Sequence, residues 1–140
     1  MFTTTSLAQP IKENSLPGGI NQAFKQKFPS AMKPEWKIKK DKSYEAEFTV
    51  NGAKVTSKFS ADGKWLETKS VIDAKYVPEA VKNTVAKEFP SYKTTESQSI
   101  EASDSKENGY EIHVKKDKET LKLYYSKDGK LLKKSEKTGK

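Results

Sequence analysis

Two segments of the chain place apolar residues on one side of a helix. Residues 16–30 and 77–91 both repeat apolar positions at steps of three or four. Pro17 and Pro78 suit a first helical turn, and Pro29 and Pro90 end each helix directly after a phenylalanine. We predict one short helix in each segment, with Phe28 and Phe89 as equivalent core residues. The apolar positions are Leu16, Ile20, Ala23, Phe24 and Phe28, then Val77, Val81, Val85 and Phe89.

After each helix the apolar pattern changes to a period of two, which is typical of strands with one buried face. Tyr44, Ala46, Phe48 and Val50 alternate with polar residues, and Tyr110, Ile112 and Val114 do the same in the second half. Polar pairs separate these runs and favour tight hairpin turns, because Asn or Asp followed by Gly accepts a positive φ. The predicted turns are Asn51-Gly52, Asp62-Gly63, Asp117-Lys118 and Asp128-Gly129.

The two halves also share sequence. The helical segments align at an offset of 61 residues, while FSADGKW at residues 59–65 aligns with YSKDGKL at 125–131 at an offset of 66. Five extra residues of the second half therefore lie between Tyr92 and Gly109. We predict an α+β fold made by tandem duplication of a helix plus four antiparallel strands. One continuous antiparallel sheet would carry the two helices on one face.

This pattern divides the chain into two repeats and two tails. The first repeat spans residues 16–76 and the second residues 77–136, with a flexible tail over 137–140. Residues 1–15 are expected to be a disordered tail or the remnant of an export signal. Ser6-Leu7-Ala8 supports the second interpretation, since it has the small residues of a signal-peptidase site.

The repeated phrase is interpreted as scaffold. Asp62-Gly63-Lys64 and Asp128-Gly129-Lys130 suit a turn between the third and fourth strands of each repeat. A calcium loop would need further oxygen ligands at alternating positions after the first aspartate, and neither copy has them.

These residues resemble the PepSY-like proteins, whose fold is similar to that of the β-lactamase inhibitory protein. The resemblance rests on a helix that ends in Phe-Pro, the alternating YEAEF strand and the FSADGKW hairpin, and it covers residues 16–135. It implies two helix-plus-four-strand units in one antiparallel sheet with an open face. It also implies an exported protein of the Gram-negative periplasm.

Composition narrows the class of partner. The formal net charge is +8, but all 27 basic residues are lysines, and arginine is the residue that reads guanine and phosphate with two parallel hydrogen bonds. We therefore expect no nucleic-acid partner. The chain has no cysteine, which excludes disulfides and thiolate chemistry, and no apolar run long enough to span a bilayer.

No catalytic pattern is visible. The chain lacks a Gly-x-Ser-x-Gly elbow, a phosphate-binding glycine loop and a zinc-binding His-Glu-x-x-His helix. Its one histidine, His113, alternates with core positions and is expected on the solvent side of its strand. We predict a protein that is not an enzyme and has no cofactor and no metal.

What remains is the strand face opposite the helices. If Phe48, Phe59, Ile112 and Leu123 lie under the helices, the open face is a candidate surface for an unknown protein or peptide, and an inhibitor-like role would use the same surface. A merely solvated face is the alternative. The Glu45–Glu47 pair is expected to face lysines of the neighbouring strand. The candidate residues are Glu45, Glu47, Lys54, Lys58, Glu111, His113, Lys122 and Tyr124.

Two further interpretations concern surface residues. Trp65 is an interface anchor or, as we expect from its hairpin position, packs under a helix end. The lysines near the C-terminus offer a different function, adhesion to an acidic polymer or membrane surface. In either case we expect a monomer. These lysines are Lys127, Lys130, Lys133, Lys134, Lys137 and Lys140.

Overall fold

The computed structural model describes residues 8–137, so Ser6 and Leu7 of the predicted export signal lie outside it, as does Lys140. None of the described helices is long and apolar enough to cross a membrane. The helices are α1 (Ile20–Lys27) and α2 (Glu79–Glu88). The strands are β1 (Ala8–Ile11), β2 (Glu35–Lys39), β3 (Tyr44–Val50), β4 (Ala53–Phe59), β5 (Trp65–Ile72), β6 (Lys93–Ala102), β7 (Gly109–Lys116), β8 (Glu119–Ser126) and β9 (Leu131–Glu136).

These strands form a single nine-stranded antiparallel sheet in which the order follows the chain from β1 to β9. The predicted α+β class with an antiparallel sheet is therefore confirmed, and the tandem duplication stays a prediction. The chain divides into two compact units between Thr68 and Lys69, within β5, whereas the predicted repeats meet after residue 76. We call the described parts, residues 8–68 and 69–137, the first and the second unit.

The core of the first unit is aromatic. Phe24 of α1 lies with its ring centroid 5.0 Å from that of Phe48 and 5.3 Å from that of Trp36, both in edge-to-face arrangements. Ile20, Phe48 and Phe59 are buried, as the apolar alternation predicts. The full core cluster consists of Ile20, Phe24, Trp36, Ala46, Phe48, Val55 and Phe59.

The core of the second unit is mainly aliphatic, and it consists of Val77, Val81, Ile112, Val114, Leu121, Leu123 and Tyr125. Ile112 and Leu123 are buried beneath α2, as predicted. The prediction of Phe28 and Phe89 as core residues was too strong, because both are only half-buried. Each is the residue that caps the C-terminus of its helix, where the backbone leaves the helical path and carries the ring to the edge of the core.

The repeated phrase forms the hairpin turn between β4 and β5 and again between β8 and β9, as predicted. In the first turn the amide of Ser60 donates to the carbonyl of Lys64 at 2.8 Å. In the second the amide of Ser126 donates to the carbonyl of Lys130 at 2.9 Å. The serine hydroxyl donates to Asp62 in one turn and to Asp128 in the other. Turn chemistry thus accounts for the serine, the aspartate and the glycine of the phrase.

Residues 8–11 depart from the expected tail, because they form β1 and pair antiparallel with β2, with Ile11 opposite Trp36. The side chain of Ile11 packs against the aromatic core of the first unit. Pro10 is tolerated because β1 is an edge strand, where a missing amide hydrogen leaves no ladder partner unpaired.

Candidate functional site

The first unit carries Glu45, Glu47, Lys54 and Lys58 on the strand face opposite α1, and we call these four residues the first polar face. Lys54 Nζ lies 2.8 Å from Glu47 Oε2, which confirms the predicted pairing across β3 and β4. Hydrogen bonding to Lys54 holds the pKa of Glu47 below its usual range. Lys58 lies directly opposite Glu45, yet its ammonium is 3.9 Å from Asp41 instead.

Glu111, His113, Lys122 and Tyr124 form the second polar face, on β7 and β8 of the second unit. The strand register places Glu111 opposite Tyr124 and His113 opposite Lys122. Only 7% of Glu111 and 5% of His113 is exposed, although this face lies opposite α2. The second polar face therefore contains a buried polar pair within a half-exposed rim.

Glu111 makes the strongest contacts of this pair. Its Oε1 accepts a hydrogen bond from Lys69 Nζ at 2.8 Å, and its Oε2 lies 2.7 Å from His113 Nε2. Burial raises the pKa of Glu111, but hydrogen bonds and charge from His113 and Lys69 outweigh it and lower the pKa to about 2. Since this carboxylate is ionised at neutral pH, His113 Nε2–H is the donor.

The prediction that His113 faces solvent was wrong. Its ring does lie on the side opposite the core residues, but it is buried there between the cross-strand neighbours Glu96 of β6 and Lys122 of β8. Long side chains on both flanking strands shield the short imidazole from water. Nδ1 of the ring is 3.8 Å from Glu96 Oε2 and has no hydrogen-bond partner within residues 8–137.

Tyr124 and Lys122 form the accessible rim of the second polar face, because both are half-buried. The Tyr124 hydroxyl donates to the carbonyl of Glu107, 2.5 Å away in the 3₁₀ helix Ser105–Glu107. This bond fixes the direction of the phenol ring before any partner binds.

Sequence reasoning missed several residues of these two faces. Lys37 and Lys39 of β2 pair with Glu47 and Glu45 at 3.6 and 3.7 Å, and their alternation with Trp36 and Ile38 was a usable signal. Lys69 was harder to find, since it precedes its partner Glu111 by 42 residues. Glu96 and Gln98 of β6 complete the border of the second polar face. Gln98 Nε2 donates a hydrogen bond to Glu96 Oε2 at 2.5 Å.

Trp65 is packed rather than presented, as expected. Its ring contacts the aromatic core of the first unit, and its indole nitrogen donates to Thr68 Oγ1 at 2.8 Å. Lys27 at the end of α1 places its ammonium 3.8 Å from the centroid of the ring. The helix end therefore covers this residue.

The chemistry available on these faces is recognition by charge and hydrogen bonding. In a nucleophilic triad, a carboxylate holds one nitrogen of the histidine and the other nitrogen contacts the nucleophile. In His113 that other nitrogen, Nδ1, is buried and directed at Glu96. Among residues 8–137, no group of three or more His, Cys, Asp or Glu side chains is arranged to hold a metal ion.

Comparisons with known proteins agree with this description. Residues 42–133 match the model of the family described as "Putative beta-lactamase-inhibitor-like, PepSY-like". A search of curated protein sequences found no match.

Solved structures share the fold. A Bacteroides eggerthii DSM 20697 protein described as "putative periplasmic" has a TM-score of 0.78 at 22% identity, covering 86% of this chain and 88% of its own. A DUF2874 family protein from Bacteroides ovatus ATCC 8483 has 0.76 at 23%, covering 86% and 87%. A BLIP-like protein from Bacteroides fragilis NCTC 9343 has 0.73 at 21%, covering 89% of both chains. At these identities the likeness establishes the fold alone.

Proposed function

Because the chain belongs to the PepSY-like, β-lactamase-inhibitor-like family, we propose that it is an exported binding protein without catalytic turnover. It recognises a protein or peptide through its two polar faces. A structural neighbour described as periplasmic supports a periplasmic location in a Gram-negative bacterium. The BLIP-like neighbour supports an inhibitor-like role, in which the bound protein is an enzyme.

The observation that carries the proposal is the buried pair of Glu111 and His113 on the strand face opposite α2. Burying ionisable groups costs free energy, and apolar residues would fill the same positions at lower cost. The pair instead holds the Glu111 carboxylate and the Lys69 ammonium in fixed positions on this face. A face organised in this way loses little side-chain entropy when a partner binds, which favours recognition over simple solvation.

The same geometry supports the proposed absence of turnover. His113 is the one histidine of the chain, and its two ring nitrogens are directed at Glu111 and Glu96. Proton transfer to a substrate would need one of these nitrogens within hydrogen-bond reach of that substrate. The carboxylate that faces that nitrogen would have to move first.

We also propose that the two units are copies of one ancestral helix-plus-four-strand unit. The shared phrase supports this, because its serine, aspartate and glycine make the same hydrogen bonds within both turns. Duplication would give the molecule one polar face in each unit, and divergence would give the faces different character. The first polar face is a ladder of half-exposed ion pairs, and the second contains a buried pair.

Capture by immobilised protein tests the proposal. The wild-type chain should retain a partner from periplasmic extract of the source bacterium, and mass spectrometry would identify it. Lys122→Glu with Tyr124→Ala alters the second polar face, and Lys54→Glu with Lys58→Glu alters the first. Each variant should weaken binding of the purified partner about tenfold or more in calorimetry, because charge complementarity is reversed.

A matched control reverses the exposed lysines Lys25 of α1 and Lys87 of α2 to glutamate, which changes the net charge as much as the first-face variant does. This control should bind the partner as the wild type does, and circular dichroism should show that all variants are folded at the temperature of the binding assay. Retained binding by both face variants would refute the proposal. Inhibition of a β-lactamase is measured in the same series as the special case named by the family description.

A second candidate function is adhesion to an acidic polymer or membrane surface. It is favoured by the exposure of every described lysine in the C-terminal set, namely Lys127, Lys130, Lys133, Lys134 and Lys137. Like-charged neighbours at this density attract polyanions through release of counterions. The two functions differ in their response to salt.

A further inference from the structure

The second unit contains an apolar cavity of about 540 Å³ between α2 and the strands β6 and β7. Val81 and Val85 of α2 form one wall, and Ser97 and Ile112 form part of the floor. Phe89 and Tyr92 close one end, with ring centroids 5.8 Å apart at an interplanar angle of 84°. The cavity lies on the helix side of the strands, and none of the residues of the second polar face lines it.

In the first unit the corresponding space is filled by two aromatic rings. At the offset of 61 residues, Phe24 corresponds to Val85 and Trp36 to Ser97. The strand register supports this match, since Trp36 pairs with Ala46 and Ser97 pairs with Ile112, and those partners are themselves 66 residues apart like the turns. The rings of Phe24 and Trp36 pack edge to face at 5.3 Å. Valine and serine leave that volume empty in the second unit.

A β-bulge adds a second hydroxyl to the floor of the cavity. The pairing of β6 with β7 shifts between Thr94 and Glu96, so Thr94 lies opposite the core residue Val114 and Ser97 opposite Ile112. Both side chains consequently face the helix although they are three residues apart. The cavity is thus apolar with a few placed polar groups, as small-molecule sites commonly are.

The charge at the rim is balanced. Lys82 lines the cavity, and its ammonium lies 3.7 Å from Glu79 Oε2, one turn earlier on α2. A charged ligand would therefore find no unpaired opposite charge on Lys82 and would have to lie against an apolar wall. A neutral ring would contact apolar surfaces like its own.

We propose that this cavity binds a small neutral aromatic molecule of one or two fused rings. The ring takes the place that Phe24 and Trp36 occupy in the first unit and contacts Val81, Val85 and Ile112. Phe89 and Tyr92 contact its edge, since tilted aromatic arrangements are preferred over face-to-face stacking. The hydroxyl of Ser97 accepts a hydrogen bond from an N–H of the ligand, as indole would provide.

Titration of the full chain with indole, followed by methyl and amide NMR shifts, tests this inference. Indole should cause saturable shifts at Val81, Val85 and Ile112. Val85→Phe with Ser97→Trp places in the second unit the two rings that the first unit has. This variant should bind indole at least about tenfold more weakly, because the new rings occupy the cavity. Lys87→Glu, on the exposed side of α2, is the control and should leave the affinity unchanged.

Ser97→Ala keeps the cavity and removes only the hydroxyl, so the test does not depend on the folding of the filled variant. It should weaken indole about fivefold and leave naphthalene unchanged, since naphthalene has no N–H. Absence of saturable shifts, or equal indole affinity in the filled and the wild-type protein, would overturn the proposal. Concentration-dependent dimerisation that the filled variant abolishes would also overturn it, because a second copy would then be the occupant. The polar faces are intact in all these variants, so capture of the protein partner remains a separate result.

Discussion

The Glu111 carboxylate gives the second polar face its sharpest dependence on pH. Burial raises the pKa of Glu111, but His113 and Lys69 lower it by more, and the resulting pKa is about 2. A carboxyl group with a pKa below its unfolded value of 4.5 stabilises the fold above that value and loses this contribution as the pH falls toward the folded pKa. The Glu111 cluster should therefore make the protein acid-sensitive.

We expect the free energy of unfolding to fall by about 3 kcal/mol from this group between about pH 5 and about pH 2. Glu111→Gln should remove that part of the pH dependence and lower stability at neutral pH, because Lys69 and His113 lose their anionic partner. Urea denaturation at a series of pH values measures both effects. Glu101→Gln, at an exposed position of β6, is the control and should keep the wild-type slope. Equal slopes for Glu111→Gln and the wild type would show that the pair does not contribute.

The same residues show what alternation along a strand can predict. It placed Glu111 and His113 on the correct side of β7, since side chains of a strand alternate between faces. It did not predict their burial, which depends on long side chains from strands that are distant in sequence, such as Lys69 of β5. The prediction of Phe28 as a core residue was too strong for a different reason. Phe28 lies one residue beyond the end of α1, where helical periodicity no longer applies.

At the scale of elements, the two hairpin turns differ in how closely they approach a helix. Gly63 has φ +88° and Gly129 has φ +89°, a region that residues with a side chain rarely adopt. A Cβ added at Gly129 would lie 2.5 Å from the carbonyl oxygen of Ala80 in α2, whereas one at Gly63 would lie 3.5 Å from Gly19. Thr84 of α2 adds a hydrogen bond of 2.8 Å to the carbonyl of Gly129. The second turn is therefore fixed to α2.

This difference predicts unequal costs of substitution. Gly63→Ala should lower the free energy of unfolding by about 1 kcal/mol through backbone strain alone. Gly129→Ala should cost about 3 kcal/mol, because the helix backbone must also move away from the new methyl group. Urea denaturation measures both variants. Asp62→Asn and Asp128→Asn serve as controls with little loss, since an amide oxygen still accepts from the serine hydroxyl. Equal costs for the two glycines would mean that α2 yields easily.

Element order was predictable because each element has a distinct period and is ended by proline, glycine or aspartate. The strand β1 was not predictable, because four residues that include Pro10 carry no alternation of their own. Its pairing depends on the free edge of β2, and its one apolar contact, Ile11, gains meaning only beside the aromatic core. Short edge strands of this kind are specified by their neighbours rather than by their own residues.

At the scale of the whole molecule, the fold follows from repeated local patterns, while the different cores of the two units follow from the residues that they do not share. Repetition predicted helices, hairpins and an antiparallel sheet, which known structures share. The exchange of Trp36 for Ser97 could also be read from the aligned halves, but a cavity follows only if no neighbouring side chain expands into the space. Ile112 and Leu123 are larger than their counterparts Ala46 and Ser57, yet the cavity remains, and Ile112 forms part of its floor.

The salt dependence of binding distinguishes the two candidate functions at this scale. All of the +8 charge is carried by an excess of lysine, and lysine ammonium groups attract polyanions without reading their shape. Binding to heparin, used as an acidic polymer, should therefore weaken on the order of a hundredfold between about 50 and about 500 mM NaCl. Binding of a protein partner at the polar faces should weaken less than about tenfold, because paired side chains in contact are poorly screened. Isothermal titration at the two salt concentrations measures both.

Replacement of Lys127, Lys130, Lys133, Lys134 and Lys137 by serine should abolish heparin binding and leave binding of the protein partner unchanged. If the serine variant lost the partner instead, the lysines would be the recognition surface and the polar faces would be only solvated strands.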